Sequence, residues 1–278
     1  MKTIIEELKK NLLRVRWNSF FKRNKLPEIT LEDLEITLKP FTPSISEEIC
    51  LPPFRGDEDL NDYSVLFSLL DFCNPKLVLE LGTGYGNTVA NICSRLDSKV
   101  ITVNALPDQI RGRVTTYSLS RENIGKVYRS NGFADRVVQI YADTKTIDLG
   151  DLLSERCVDF AIVDACHDSD YVLNDFRKIQ PYMAPGSVVV FHDTHPSMQK
   201  HYIDSYIACM YLRKLGHNIK YIKNSSWAIW FANEALVNKN RSYLVTSPVA
   251  NFFERKIFGS EQTDLLRIRG YAKRHREL

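Results

Sequence analysis

The chain has 278 residues, of which 44% are hydrophobic and 26% charged, proportions that exclude a mostly disordered chain and allow one large domain or two small ones without structural disulfides. No uncharged apolar run approaches the ~20 residues needed to cross a bilayer, and the N-terminus carries charges where a secretion signal needs its apolar segment. The six cysteines are scattered without CxxC spacing, mostly in apolar surroundings; together these features predict a cytoplasmic protein with reduced thiols. The net charge of +3 hides an uneven spread. Eight Lys/Arg face two Glu in residues 1–26, and seven face three acids in residues 255–278, so an acidic body carries two basic ends.

Taken in chain order, Ile4, Ile5, Leu8, Leu12 and Val15 recur at helical spacing, followed by Trp17, Phe20 and Phe21. Such a helix either packs on the body or a second subunit, or lies on an anionic membrane surface. Residues 26–56 are proline-rich and mixed polar, the pattern of an extended linker or flap. From residue 57 the pattern becomes regular: helix 57–74, strand 76–81, helix 87–96, strand 99–105, a long polar helical stretch around 118–131, strand 137–142 and a short helix near 148–155. Strand 158–165, helix 171–183, strand 186–191, helix 198–215 and two closing strands near 218–223 and 227–232 follow. Alternation of this kind predicts βαβ units and a parallel sheet covered on both faces. The domain limits read as 1–56 for an N-terminal helix and flap, 57–235 for the regular domain and 236–278 for a basic tail.

The strongest local signal follows the first regular strand, where Glu80 precedes Gly82, Gly84 and Gly86 in a G-x-G-x-G turn that opens a helix at Asn87. Glycines let a backbone turn sharply and come close to a ligand, and the next helix offers unpaired N–H groups. No Lys-Ser/Thr occupies the Walker position, and the spacing lacks the third glycine of the G-x-G-x-x-G dinucleotide fingerprint. Over residues 57–235 the sequence resembles the class I S-adenosylmethionine-dependent methyltransferases, and within them the small-molecule O-methyltransferases related to the catechol and macrolide-sugar enzymes. The resemblance implies a Rossmann-like doubly wound seven-stranded sheet, mostly parallel with a reversed terminal hairpin strand. It also implies that Glu80, Gly82, Gly84 and Gly86 surround the amino-acid end of S-adenosylmethionine. Asn104 stands where such enzymes carry a ribose-binding acid. Asp143 matches the adenine-contacting position; read from the residues alone it is equally a helix N-cap before Thr144.

Two further clusters end buried strands, where ligands bind in open α/β sheets: Asp164 to Tyr171 with Cys166 inside it, and His192-Asp193-Thr194-His195. Acids leaving adjacent strand ends can chelate a hard divalent cation. In the catechol-type enzymes Mg²⁺ sits in this way, which matches Asp164 and Asp193 with Thr194 in the third place. The other reading gives Asp164 and Asp193 the donor's ammonium group or the orientation of a base. His167 lies where catechol-type enzymes keep a catalytic lysine, and an imidazole titrating near pH ~6.5 can take a proton from a substrate hydroxyl. His167 is the first candidate for that base and His195 the second. Strand alternation sends His192 and Asp193 to opposite faces if the strand stays regular.

Arg111, Arg113, Lys126, Arg129 and Arg136 read as a solvated basic face. Trp227 and Trp230 read as core and surface positions of a strand, and Tyr202, Tyr206 and Tyr211 as core packing with an acceptor pocket as the other reading. The expected function is methyl transfer from S-adenosylmethionine to an oxygen of a small-molecule acceptor, a sugar or secondary metabolite, with a homodimer compatible with the terminal helix. The competing readings are an NAD-dependent oxidoreductase, a nucleic-acid-binding protein using its basic ends, and a non-catalytic donor-binding module. The acidic body and the lack of an RNA-binding motif leave no nucleic-acid partner expected.

Overall fold

The computed structural model of the chain describes residues 25–41, 45, 62–110, 116, 118–153, 157–195 and 203–232. The N-terminal amphipathic helix, the Pro52–Gly56 end of the flap, Arg111, Arg113, Tyr202 and the basic tail lie outside the described residues. The elements in chain order are β1 (Glu28–Ile29), α1 (Asp62–Cys73), β2 (Leu77–Leu81), α2 (Asn87–Arg95), β3 (Lys99–Asn104), α3 (Lys126–Ser130), β4 (Val137–Tyr141) and α4 (Leu149–Leu153). They continue with β5 (Val158–Val163), α5 (Ser169–Ile179), β6 (Met183–Phe191), α6 (Ser205–Lys214), β7 (Lys220–Ile222) and β8 (Ala228–Phe231). No described helix is long and apolar enough to cross a membrane.

The strands form one sheet in the order β1-β7-β8-β6-β5-β2-β3-β4. Every neighbouring pair is parallel except those involving β8, which runs antiparallel to both β6 and β7. The central strands β2, β5 and β6 carry near-continuous apolar runs because both faces are covered; all five residues of β2 are buried. Chain progression from β2 to β3 and β4 moves one way across the sheet, and β5 and β6 build out the other side of β2. The switch point therefore falls between β2 and β5, and a crevice opens beyond their C-terminal ends. On the far side of the sheet, Phe176 of α5 packs against Phe191, His217 and Trp230 at centroid distances of 5.6, 4.8 and 5.2 Å.

The sheet has eight strands where seven were expected. The extra one comes from the segment read as a linker: Glu28 and Ile29 pair in parallel with Tyr221 and Ile222. Leu26, Ile29, Leu31 and Ile36 are buried, so this stretch covers the β7 edge, and apolar burial outweighs its proline-rich composition. The long helix expected around 118–131 reduces to α3. The preceding segment spends its N–H groups on the glycine turn instead, Gly125 donating to the Gly84 carbonyl and Val127 to that of Tyr85, both at 2.9 Å.

Two members of the expected basic face are tied to backbone. Arg129 donates to the carbonyls of Ile124 and Glu122, at 2.5 and 2.6 Å. Arg136 donates to the carbonyls of Cys93, Leu96 and Ser98, around the end of α2 where helical carbonyls lose their own partners. Arg136→Met should therefore cost about 1–3 kcal/mol in urea denaturation by leaving those carbonyls unpaired. Lys126→Met, at an exposed position of the same region, should stay within about 0.5 kcal/mol of wild type.

Candidate active site

At the crevice, the three glycines of the turn answer to three different constraints. Gly82 has φ +109°, and a Cβ there would lie 2.0 Å from the Asp164 carbonyl oxygen, so the end of β2 touches the end of β5 without space for any side chain. Gly86, at φ +85°, is pressed against Gly125 and Tyr128. Gly84, at φ +52°, has nothing within 4 Å of a Cβ, so its side of the turn is open to the crevice. Asn104 braces that residue: its Oδ1 accepts the Gly84 N–H at 3.0 Å while its Nδ2 donates to the Ala105 carbonyl at 2.8 Å.

Glu80 lies beneath the turn and faces inward, with 2% of its surface exposed. Thr102, its register partner on β3, donates to Glu80 Oε2 at 2.7 Å, and the hydroxyls of Thr83 and Thr102 are 2.7 Å apart. Gln139 Nε2 donates to Thr83 at 3.0 Å, and Tyr128 donates to Gln139 Oε1 at 3.1 Å. With Thr102 donating to Glu80, Thr83 must donate to Thr102, so every hydrogen bond in the chain points toward the carboxyl group. Burial raises the Glu80 pKa to about 8, against the lowering effect of the Thr102 hydrogen bond.

Asp143, at the end of β4, accepts the Lys145 N–H at 2.9 Å through one oxygen and the Tyr171 hydroxyl at 2.7 Å through the other. The residues after it form a turn rather than a helix, so the expected N-cap is replaced by an Asx turn. Lys178 Nζ donates to the carbonyls of Thr144, Lys145 and Ile147 and holds this turn from α5. Asp175 is fully buried beside it, and desolvation raises its pKa to about 7.

The strand-end acids converge on a residue that strand alternation had sent away from them. β6 ends at Phe191, and Asp193 takes φ +54°, which breaks the alternation and turns His192 and Asp193 into one cluster. His192 Nδ1 lies 3.0 Å from Asp164 Oδ1 and 3.5 Å from Asp193 Oδ1, and Nε2 lies 3.6 Å from Asp62 Oδ2. His167 Nε2 is 3.3 Å from Asp193 Oδ2. Desolvation works against a charged His192, but the carboxylates of Asp164 and Asp193 and the hydrogen bonds to Asp164 and Asp62 outweigh it, and the pKa stands well above the usual imidazole value. Asp62, in turn, is held below the usual carboxylate range, its desolvation outweighed by His192 and by the Ser226 N–H, which donates to Oδ1 at 2.5 Å. Trp227 closes the group, with its ring centroid 4.4 Å from that of His192 and its Nε1 donating to the Asp62 carbonyl at 2.9 Å.

Asp164, Asp193 and His167 are thus brought together, and Thr194 is not. It is fully buried, and its hydroxyl and N–H both donate to the Ser226 carbonyl, at 2.8 and 2.9 Å. The expected metal set of Asp164, Asp193 and Thr194 does not fit a divalent cation, because the hydroxyl is spent on the β7–β8 turn and both Asp193 oxygens face histidine nitrogens. Among the described residues no group of three or more His, Cys, Asp or Glu side chains is arranged to hold a metal ion. His195 lies beside Tyr221, with ring centroids 6.1 Å apart. Tyr206 accepts the Leu26 N–H at 3.1 Å and so faces the N-terminal segment. Sequence reasoning missed Asp62, His192 as the centre of the cluster, and Trp227. Asp62 and His192 are separated by 130 positions, and only the position of α1 over the ends of β5 and β6 joins them.

The Glu80 carboxyl makes stability depend on pH. A folded-state value of about 8 against 4.5 for the free group means that the folded chain binds the extra proton, so stability is full below pH 4.5 and declines as pH rises through about 8. Glu80→Gln should remove up to about 1.4 kcal/mol of this decline per pH unit within that window, measured by urea denaturation at a series of pH values.

Residues 79–194 match the family profile described as a methyltransferase domain. No curated protein matches the chain in sequence. Among solved structures, the O-methyltransferase TomG from Streptomyces achromogenes, involved in tomaymycin synthesis and solved with SAM, is similar at 16% identity and a TM-score of 0.43, over 61% of this chain and 78% of that one. A SAH-bound methyltransferase from Podospora anserina is similar at 13% identity and a TM-score of 0.46, over 62% and 77%. Neither likeness is close enough to carry substrate chemistry to this chain. The profile match runs from the strand beneath the glycine turn to the acids that close the crevice, so this stretch of the chain is similar to a methyltransferase domain, and the strand order around the crevice is that of the Rossmann-like methyltransferase fold.

Proposed function

We propose that the chain transfers the methyl group of S-adenosylmethionine to an oxygen of a small molecule, a sugar or secondary metabolite, with His167 accepting the released proton. The observation that carries this reading is the pairing of His167 with Asp193 at 3.3 Å, on the strand next to the one whose end abuts the glycine turn. An acid holding Nε2–H favours the tautomer whose lone pair is on Nδ1, and in that state the ring can receive a proton. Thr194 is spent on a backbone carbonyl and His195 has Tyr221 beside it, which supports His167 over His195 as the base.

The residues around the turn suit the donor. The open side of Gly84 and the N-terminus of α2 would receive its amino-acid end, with Gly82 and Gly86 shaping the turn and Glu80 supporting it from below. Asn104 keeps one amide hydrogen and one lone pair beyond its two bonds, enough for a ribose hydroxyl. Asp143 would meet the adenine side, already oriented by Lys145 and Tyr171. S-adenosylmethionine, when bound, supplies a methyl group on a sulfonium. The chain's own contribution is to align the acceptor oxygen and remove its proton as the new C–O bond forms and the C–S bond breaks.

Gly84→Val should keep the circular dichroism of the fold and lose S-adenosylhomocysteine affinity by about 100-fold or more in calorimetry, because the branched side chain both fills the open side of the turn and strains a backbone held at φ +52°. Wild-type affinity in the folded variant would defeat the donor-site reading.

His167→Ala should lower the methylation rate by about 10²–10⁴-fold, followed by mass spectrometry of the methylated acceptor, and leave S-adenosylhomocysteine affinity within about twofold. Unchanged turnover would remove His167 as the base, and parallel loss of rate and donor affinity would mark it as structural.

A further inference from the structure

We propose that Tyr171 makes the crevice selective for a 6-amino purine in the donor, by fixing the Asp143 carboxylate as an acceptor of the base's amino N–H. The inference rests on the methyl-transfer reading and deepens it, because it assigns a residue that acts on the base through another side chain.

Gly84, Asn104 and Asp143 stand in one row across the ends of β2, β3 and β4. The Gly84 N–H donates to the Asn104 side chain at 3.0 Å, and the Ala142 N–H donates to the Asn104 carbonyl at 3.1 Å, with Asp143 the next residue along. The row runs from the switch point to the β4 edge of the sheet. A ligand with its amino-acid end at Gly84 and its ribose at Asn104 therefore brings its base to Asp143.

Asp143 is half-buried, whereas Tyr171 is buried. One Asp143 oxygen accepts the Lys145 N–H at 2.9 Å and the other accepts the Tyr171 hydroxyl at 2.7 Å. A carboxylate offers about four lone-pair sites, so each oxygen keeps about one for a ligand. An acid held in this way presents acceptors only. A 6-amino purine answers it with an N–H, and a 6-oxo purine would set its carbonyl oxygen against the same lone pairs.

The Tyr171 ring is itself fixed. It sits in the first turn of α5, where its N–H donates to the Asp168 carbonyl at 2.9 Å. Lys145 Nζ lies 4.0 Å from the ring centroid while it donates to Asp170 at 2.5 Å. Lys145 thus gives its N–H to one Asp143 oxygen and its ammonium group to the ring whose hydroxyl holds the other. Without that hydroxyl the carboxylate keeps one anchor and can turn away from the base. Tyr171 is therefore a positioning residue.

The experiment uses the full chain and calorimetry with S-adenosylhomocysteine and its 6-oxo counterpart, S-inosylhomocysteine. The wild type should bind the adenosyl compound at least about tenfold more tightly. Tyr171→Phe should weaken S-adenosylhomocysteine by about tenfold and leave S-inosylhomocysteine within about twofold, so that the preference collapses. In an Asp143→Ala background, adding Tyr171→Phe should change S-adenosylhomocysteine affinity by less than about twofold, because the hydroxyl acts only through the acid. The proposal is overturned by a wild type without preference, by a Tyr171→Phe variant that keeps the preference or loses both ligands in parallel, or by an equal effect with and without the Asp143 carboxyl. If Tyr171→Phe does not fold, Tyr171→Met is read in the same way, and failure of both to fold marks the side chain as structural and overturns the proposal. Absence of S-adenosylhomocysteine binding by the wild type counts against the donor site itself, whereas binding with an unmoved preference counts against Tyr171 only.

Discussion

The contact between the ends of β2 and β5 is the constraint on which the rest of the site depends. Asp164 N–H donates to the Leu81 carbonyl at 2.8 Å, and one residue later the Gly82 backbone is pressed against the Asp164 carbonyl so closely that no Cβ could enter. Two parallel strands that diverged here would separate the glycine turn from the acids. Because they do not, the glycine turn and the strand-end acids share one crevice. Gly82 is required for that contact, and Gly84 for the open surface beside it.

Charge in this domain is sorted by what each group can reach. Arg129, Arg136 and Lys178 are spent on backbone carbonyls at turns and at a helix end, where the macrodipole and the unpaired oxygens favour cations. This leaves the carboxylates of the crevice to be neutralised locally, and His192 is the group in reach of three of them. Buried acids elsewhere meet the same physics differently. Glu80 and Asp175 lack a paired cation, and desolvation makes them retain a proton instead.

The two halves of the crevice are stiffened by different means. Below the glycine turn, the chain from Tyr128 through Gln139, Thr83 and Thr102 to Glu80 satisfies buried polar groups in one direction, so the strands and the turn are joined through side chains as well as through the ladder. On the other side, the constraint is ionic and comes from separate elements: α1, the ends of β5 and β6, and the β7–β8 turn that holds Asp62. The first half is built from residues between 80 and 139, whereas the second joins residues from 62 to 227 and exists only after the sheet has closed.

That difference explains how far the sequence could be read. Strand and helix alternation follows from apolar runs and periodicity, which are local, so the α/β sheet was legible from the residues, while its reversed strand was implied by the family resemblance. The G-x-G-x-G turn was legible for the same reason, since its chemistry depends on three nearby glycines. Local pattern misled where backbone groups found distant partners: residues 118–131 gave up helix to bond the glycine turn, and residues 26–36 left an extended linker to cover the β7 edge. The left-handed conformation of Asp193 follows from no periodicity, and it alone puts His192 beside the acids. Sequence determined the strands of the regular α/β alternation and where the glycine turn lies, because those depend on neighbours along the chain. Tertiary structure decided which acids gather around one imidazole and which histidine stands beside Asp193, because Asp62, Asp164, His167, His192 and Asp193 meet only through the packing of α1 over adjacent strand ends.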